Sequence, residues 1–306
     1  MDVREWALIA FTILMQLSVG AFVVLGAVHY FAAQSKGQAE ADRLSDRALL
    51  AIGPILVLAL LASLFHLGNP LNAYRAVANL GNSWLSREIL LSVLFTAVGG
   101  VFALMQWRKL GTFTVRTVVA GLAALIGLVQ VYSMAMIYQL DLQPAWNTVF
   151  TPISFYTTML LLGVLALGAA FVANYTYLQR QGAATGPQSE LLRGALRWFA
   201  VAAVVLLGIE FVVAPVQVAY LAASPIPEAA ASVAVLFTQY SLVFALRLVL
   251  VFIGAGVFGF FLYRNAISPG RERILGTLAY TAFGLVLVSE VLGRFLFYAS
   301  HLKIGL

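Results

Sequence analysis

Two short stretches carry side chains able to take up or release a proton: Phe65-His66-Leu67-Gly68-Asn69-Pro70 and Ser86-Arg87-Glu88-Ile89. An imidazole and a carboxyl at one level of a membrane can bind the hydroxyls of an amphipathic, lipid-soluble molecule and accept its protons. A quinol is such a molecule. It needs an apolar slot for its tail, and it sheds two protons with two electrons when oxidised. A second set of polar residues accompanies the same end of the chain's apolar runs: Trp146, Thr151-Pro152, then Glu290, Arg294 and His301. Local structural roles compete with these assignments. His66 could cap a helix, Glu88 could pair with Arg87, and Glu290 and Arg294, four apart on one helix face, could form an ion pair. Glu210 and Arg247 could likewise pair across helices. Each ionisable group inside a lipid-spanning segment costs about 2.5–3.5 kcal/mol on insertion scales, so it marks either a function or a buried partner.

The elements that must position these groups follow from composition. Apolar residues make up 62% of the 306-residue chain and charged residues 10%, against about 45–50% and 25% in soluble domains. One bilayer crossing takes about 20 apolar residues. Continuous apolar runs predict spans near Trp6–Phe31, Leu49–Phe65, Ile89–Trp107, Val115–Tyr138, Ile153–Tyr177, Ala195–Tyr220, Val233–Tyr263 and Ile274–Tyr298. The seventh is too long for one straight crossing and predicts an interfacial turn before Tyr240. The runs do not alternate in polarity, which excludes barrel strands and leaves helices. The fold class is therefore an all-α membrane protein, a bundle of about eight transmembrane helices. It forms one integral membrane domain over residues 1–306, with about four spans in 1–178, a connector at 179–190, and about four spans in 191–306. The first run reads as a retained helix and not a cleaved signal peptide. The spans leave only short loops, so soluble catalytic machinery has to sit on another polypeptide.

Trp6, Trp84, Trp107, Trp146 and Trp198 fall at predicted span ends, as do Tyr30, Tyr138, Tyr177, Tyr220, Tyr263 and Tyr298. This is the pattern of an aromatic belt at headgroup depth. Twelve Lys and Arg fall in loops on one side (Lys36, Arg43, Arg47, Arg108, Lys109, Arg116, Arg180, Arg193, Arg197, Arg264, Arg271 and Arg273), and five on the other. The positive-inside rule then puts both termini outward, in the periplasm of a Gram-negative cell. The localisation expected is the bacterial cytoplasmic (inner) membrane, multi-pass. The net charge of +6 reads as these loops, and no basic face with interleaved aromatics suggests nucleic acid. The protein has no cysteine, which excludes cysteine-ligated iron–sulfur clusters, attached c-type haem and disulfides. Its three histidines, His29, His66 and His301, lie near span ends, which suits bis-histidine b-type haem poorly.

At these residues the sequence resembles a known family. Glu5-Trp6 leads into a first span with Gln16 and Gly20. His66-Leu67-Gly68-Asn69-Pro70 and Leu85-Ser86-Arg87-Glu88-Ile89 follow. Then come Trp146, Thr151-Pro152, Phe155, the Arg247 span, and Glu290-Val291-Leu292-Gly293-Arg294 with Phe297-Tyr298 and His301. In this order they resemble, nearly end to end, the membrane-anchor subunit of dimethyl sulfoxide reductase (DmsC-like), within the broader NrfD-like anchors. The resemblance implies an eight-helix anchor that binds menaquinol and passes its electrons to a four-cluster iron–sulfur subunit, which feeds a molybdopterin catalytic subunit. It implies no haem or cluster on the anchor itself. It makes His66 and Glu88 the quinol-binding pair, with Arg87 beside them and Trp146, Glu290, Arg294 and His301 in support. Other functions compatible with the same residues are a quinone-reducing anchor of a sulfur- or formate-oxidising complex, a secondary transporter, and a purely structural tether. Transport would call for inverted repeats and broken helices at mid-membrane, and neither is evident.

Overall fold

The protein is described by a computed structural model covering residues 3–66, 78–183 and 186–305; of Val3, Arg4 and His66 it describes the backbone alone. The described elements are helices. They are α1 (Val3–Lys36), α2 (Gln38–His66), α3 (Trp84–Arg108), α4 (Phe113–Met136), α5 (Phe150–Arg180), α6 (Gly186–Ala222), α7 (Pro227–Thr238), α8 (Ser241–Val251), a π-helical stretch (Phe252–Phe258), α9 (Gly259–Ala266) and α10 (Glu272–Ala299). Among the described residues, eight segments are long and apolar enough to cross a bilayer. α8, the π-helical stretch and α9 together form the seventh, Ser241–Ala266. In lipid the backbone has no water partners, so each crossing must satisfy its own N–H and C=O groups, and apolar runs of this length become helices.

The expected turn before Tyr240 is present. α7 is a separate short helix, and a break at Gln239-Tyr240 lets α8 start anew at Ser241. Two helices start two turns or more before the point the apolar runs suggested. α2 begins eleven residues before Leu49, at Gln38, because its first turns carry Asp42, Arg43, Asp46 and Arg47 beyond the apolar stretch. α6 begins at Gly186, inside the expected connector. Pro187 is tolerated there because first-turn N–H groups have no intrahelical partner anyway.

α1 and α5 sit at the centre, with 72% and 78% of their apolar windows buried, against 17% for α3 at the rim. α1 packs on α2, α4, α5 and α10, and α5 also packs on α6 and α10. Between α1 and α5 the backbones meet directly. A Cβ on Gly20 would fall 1.9 Å from the Met159 carbonyl oxygen, and one on Gly163 would fall 2.4 Å from the Gly20 carbonyl carbon. Small residues allow this approach, which lets dispersion and weak polar contacts replace a hydrophobic driving force that lipid does not supply.

The aromatic belt is real for part of its expected membership. Trp6, Tyr30, Trp107, Tyr177, Tyr220 and Tyr263 are exposed near helix ends, and Trp198 is exposed twelve residues into α6. Tyr138, Trp146 and Tyr298 depart from it. All three are buried, because they pack on one another and not on lipid.

Candidate functional site

The first turn of α3 is organised by Ser83, whose side chain accepts from the backbone N–H of Ser86 at 3.2 Å. Arg87 folds back over this turn. Its Nε donates to Leu80 O at 2.8 Å and its Nη2 to Gly81 O at 2.6 Å, while the guanidinium lies 4.2 Å from the Trp84 ring centre. Arg87 is thereby committed to closing the turn, and no ion pair joins it to Glu88 among the described residues.

Glu88 points the other way. It is 5% exposed and lines a cavity of about 280 Å³ between α2 and α3, with Phe11 of α1 at its back. Its walls are Val57, Leu60, Leu61 and Leu64 from α2, and Leu85, Ile89 and Val93 from α3. Ser63 and Ser92 add the few other polar atoms. Val57, Leu61, Leu64, Leu85 and Val93 are exposed on the outer surface of the bundle, so the cavity opens sideways toward lipid. Gln130 of α4 donates to Ser92 Oγ at 3.2 Å behind it. His66 closes α2 one turn beyond Ser63. Its side chain, and Leu67-Gly68-Asn69-Pro70, lie outside the described residues.

The supporting residues occupy a different place. Trp146 stacks between Phe297, at 5.2 Å, and His301, at 3.9 Å between ring centres, and its Nε1 donates to Phe297 O at 2.7 Å. His301 Nδ1 lies 2.6 Å from Tyr298 O. Tyr138 and Tyr298 share a 2.6 Å hydrogen bond between their hydroxyls. Burial, with the Tyr298 hydroxyl beside it, holds the Tyr138 phenol well above its ordinary range.

Beneath this aromatic group lies a second cavity of about 130 Å³, lined by Trp146, Thr158, Arg247, Glu290 and Arg294 among others. The i,i+4 ion pair expected of Glu290 and Arg294 is absent. Thr158 donates to Glu290 Oε2 at 2.6 Å, and Arg294 Nη2 donates to Gln16 Oε1 at 3.0 Å with its guanidinium 3.8 Å from the Phe155 ring centre. Partners on α5 and α1 win because each bond also ties two helices together. The Glu210–Arg247 pair does form, joining α6 to α8. Gly293 makes room for it, since a Cβ there would fall 2.5 Å from Arg247 Nε.

The structure thus brings together Trp146, Glu290, Arg294 and His301 in the α5–α10 half, and sets Glu88 on a separate, lipid-open cavity against α2. Sequence reasoning did not find Thr158 as the partner of Glu290, nor the Tyr138–Tyr298 pair. Thr158 carried a usable signal, a hydroxyl within an apolar run. The tyrosines carried none, because a belt tyrosine and a buried one look alike in sequence.

The sequence is similar to known proteins over nearly its whole length. The family model for the DMSO reductase anchor subunit (DmsC) matches residues 1–300. The YnfH subunit of an anaerobic dimethyl sulfoxide reductase of Escherichia coli K12 is 29% identical over 309 residues, 99% of this protein and 97% of that one. The C subunit of anaerobic dimethyl sulfoxide reductase from the same organism is 29% identical over 315 residues, with the same coverage. The corresponding C subunit from Haemophilus influenzae is 27% identical over 302 residues, 99% of this protein and 96% of that one. Eight segments long and apolar enough to cross a membrane among the described residues, and a family match over residues 1–300, make this protein a multi-pass membrane protein belonging to the DMSO reductase anchor subunit family.

Proposed function

We propose that this protein anchors a dimethyl-sulfoxide-reductase-like complex and oxidises menaquinol at the Glu88 cavity. The observation that carries the proposal is the cavity itself: a mainly apolar slot whose outer walls are exposed on the bundle surface, with one buried carboxyl facing it and two serine hydroxyls on its walls. A hydroquinone ring enters from the membrane and leaves its isoprenoid tail among the exposed side chains of α2 and α3. One hydroxyl donates to Glu88. Oxidation to the quinone releases two protons and two electrons. Glu88 takes one proton as the O–H bond breaks, and His66, at the adjoining end of α2, is assigned the second hydroxyl. The electrons pass to a four-cluster iron–sulfur subunit and on to a molybdopterin catalytic subunit. With both termini outward, as the loop charges suggest, the protons leave on the periplasmic side. Arg87 supports the site indirectly by holding the first turn of α3 in place.

A positioned proton acceptor contributes about 100-fold or more to rate. Glu88→Gln and His66→Ala should each reduce menaquinol-supported turnover of the intact complex by about that factor, while an artificial donor still drives the soluble subunits at the normal rate. Unchanged menaquinol turnover in both variants refutes the site.

A further inference from the structure

At the opposite, basic end of the bundle lies a cavity of about 220 Å³ between α1, α2, α3 and α4, and the proposed chemistry does not use it. Its walls are apolar along the membrane direction: Phe22, Leu25, Leu49, Phe102, Ala120 and Ala124. Its polar end is built around Arg116, one turn inside α4 beyond the Thr112 cap. Arg116 is 5% exposed, and its Nε and Nη1 have no hydrogen-bond partner among the described residues. A buried guanidinium with unmet donors is costly unless something supplies acceptors.

The neighbouring acids do not supply them. Lys109 bridges Asp42 and Asp46 at 2.9 and 2.8 Å, and Gln106 donates to the same two carboxylates at 2.6 and 2.8 Å. His29 is held by Ser45 at 3.0 Å and faces Asp42. Both carboxylates are thus engaged by Lys109 and Gln106, and neither satisfies Arg116 Nε or Nη1. The surroundings favour an anion, since this end carries twelve Lys and Arg against five acids, Glu40, Asp42, Asp46, Glu190 and Glu272. Guanidinium binds phosphate oxygens in pairs, with matched geometry. Tyr30 and Phe31 are exposed at this level, where headgroups meet aromatic side chains.

We infer that this cavity binds an anionic phospholipid, its phosphate accepting hydrogen bonds from Arg116 and one acyl tail lying along Phe22, Leu25 and Ala120. A phosphate matches Arg116 better than a neutral quinol does, because its anionic oxygens meet two unfilled guanidinium donors, Nε and Nη1, at once. Two glycines line the cavity, Gly26 and Gly121, and a Cβ on either would meet nothing within 4 Å. A larger side chain there fills the slot without pressing on the protein.

The test is native mass spectrometry of the intact complex, stripped of lipid in mild detergent and titrated with phosphatidylglycerol. The unaltered complex should retain the lipid. Losing charge-assisted bonds to a buried group weakens binding by at least about tenfold, so Arg116→Gln should show that loss. Gly121→Leu should show a comparable loss with Arg116 intact, and decides the matter if Arg116→Gln does not fold. Inorganic phosphate should not compete. Three results would overturn the inference: retention equal to the unaltered complex in both variants, full competition by inorganic phosphate, or occupancy by added menaquinone in place of phosphatidylglycerol.

Discussion

The contact between α1 and α5 is the packing feature with the sharpest numerical consequence. In Gly20→Ala the new methyl would sit 1.9 Å from the Met159 carbonyl oxygen, where ordinary contact begins near 3.4 Å. The helices must therefore part by about 1.5 Å, the difference between those distances. Neither helix can yield outward, because α1 and α5 are the two most buried spans and are held on other sides by α2, α4, α6 and α10. Overpacking of a well-filled core costs about 1–3 kcal/mol, and a rigid backbone as the obstacle puts Gly20→Ala at the upper end. The intrinsic gain of about 1 kcal/mol for replacing glycine in a helix offsets part of this. Gly163→Ala addresses the same contact from the other side, so the double variant should cost less than the sum of the single ones. Gly99→Ala, where a Cβ meets nothing within 4 Å, serves as the control. Unfolding in mixed micelles by sodium dodecyl sulfate, followed by far-UV circular dichroism, reads all four. A Gly20→Ala protein as resistant as Gly99→Ala, or fully additive penalties, would refute the argument that backbone contact sets the spacing.

Two further outcomes follow from the buried polar groups. Arg247→Met leaves Glu210 buried without its partner and should destabilise the bundle by about 3–5 kcal/mol, whereas Glu210→Leu/Arg247→Met should recover most of that loss; the same micelle titration distinguishes them, and equal penalties would show the pair to be unimportant. Burial and the adjacent Tyr298 hydroxyl raise the Tyr138 phenol above its free value of about 10, so its contribution to stability is complete below that pH and is lost as the pH rises toward the folded value. Tyr138→Phe should therefore flatten the alkaline arm of the stability profile, and an unchanged arm would show that this phenol does not ionise with unfolding.

Much of the architecture was legible because hydropathy is a one-dimensional quantity. The spans, the absence of barrel alternation and the break before Tyr240 all depend on runs of residue type, and lipid enforces the rest. Helix ends were less legible. The turns of α2 before Leu49 are polar yet helical, stabilised by contacts such as Gln106 with Asp42 and Asp46 that come from α3, sixty residues away in sequence. The polar pairings divide along the same line. Glu210 with Arg247 could be guessed from charge alone. Glu290 with Thr158 and Arg294 with Gln16 depend on how α10 is rotated against α5 and α1, and rotation is decided by close packing such as Gly293 against Arg247. Trp146, Tyr138 and Tyr298 had the composition of a lipid-facing belt and the location of a core. Arg116 was grouped with the loop cations because its spacing from Thr112 places it at a boundary where one helical turn separates solvent from interior.

The seat of α1 on α5 also orders events during synthesis. α1 brings its close-approach glycine, Gly20, into the membrane before its mate exists, because Gly163 of α5 is made only after α1 to α4. Until then the nascent bundle lacks its axle, and a polypeptide halted before the fifth crossing leaves that face of α1 without the α5 backbone that fits it.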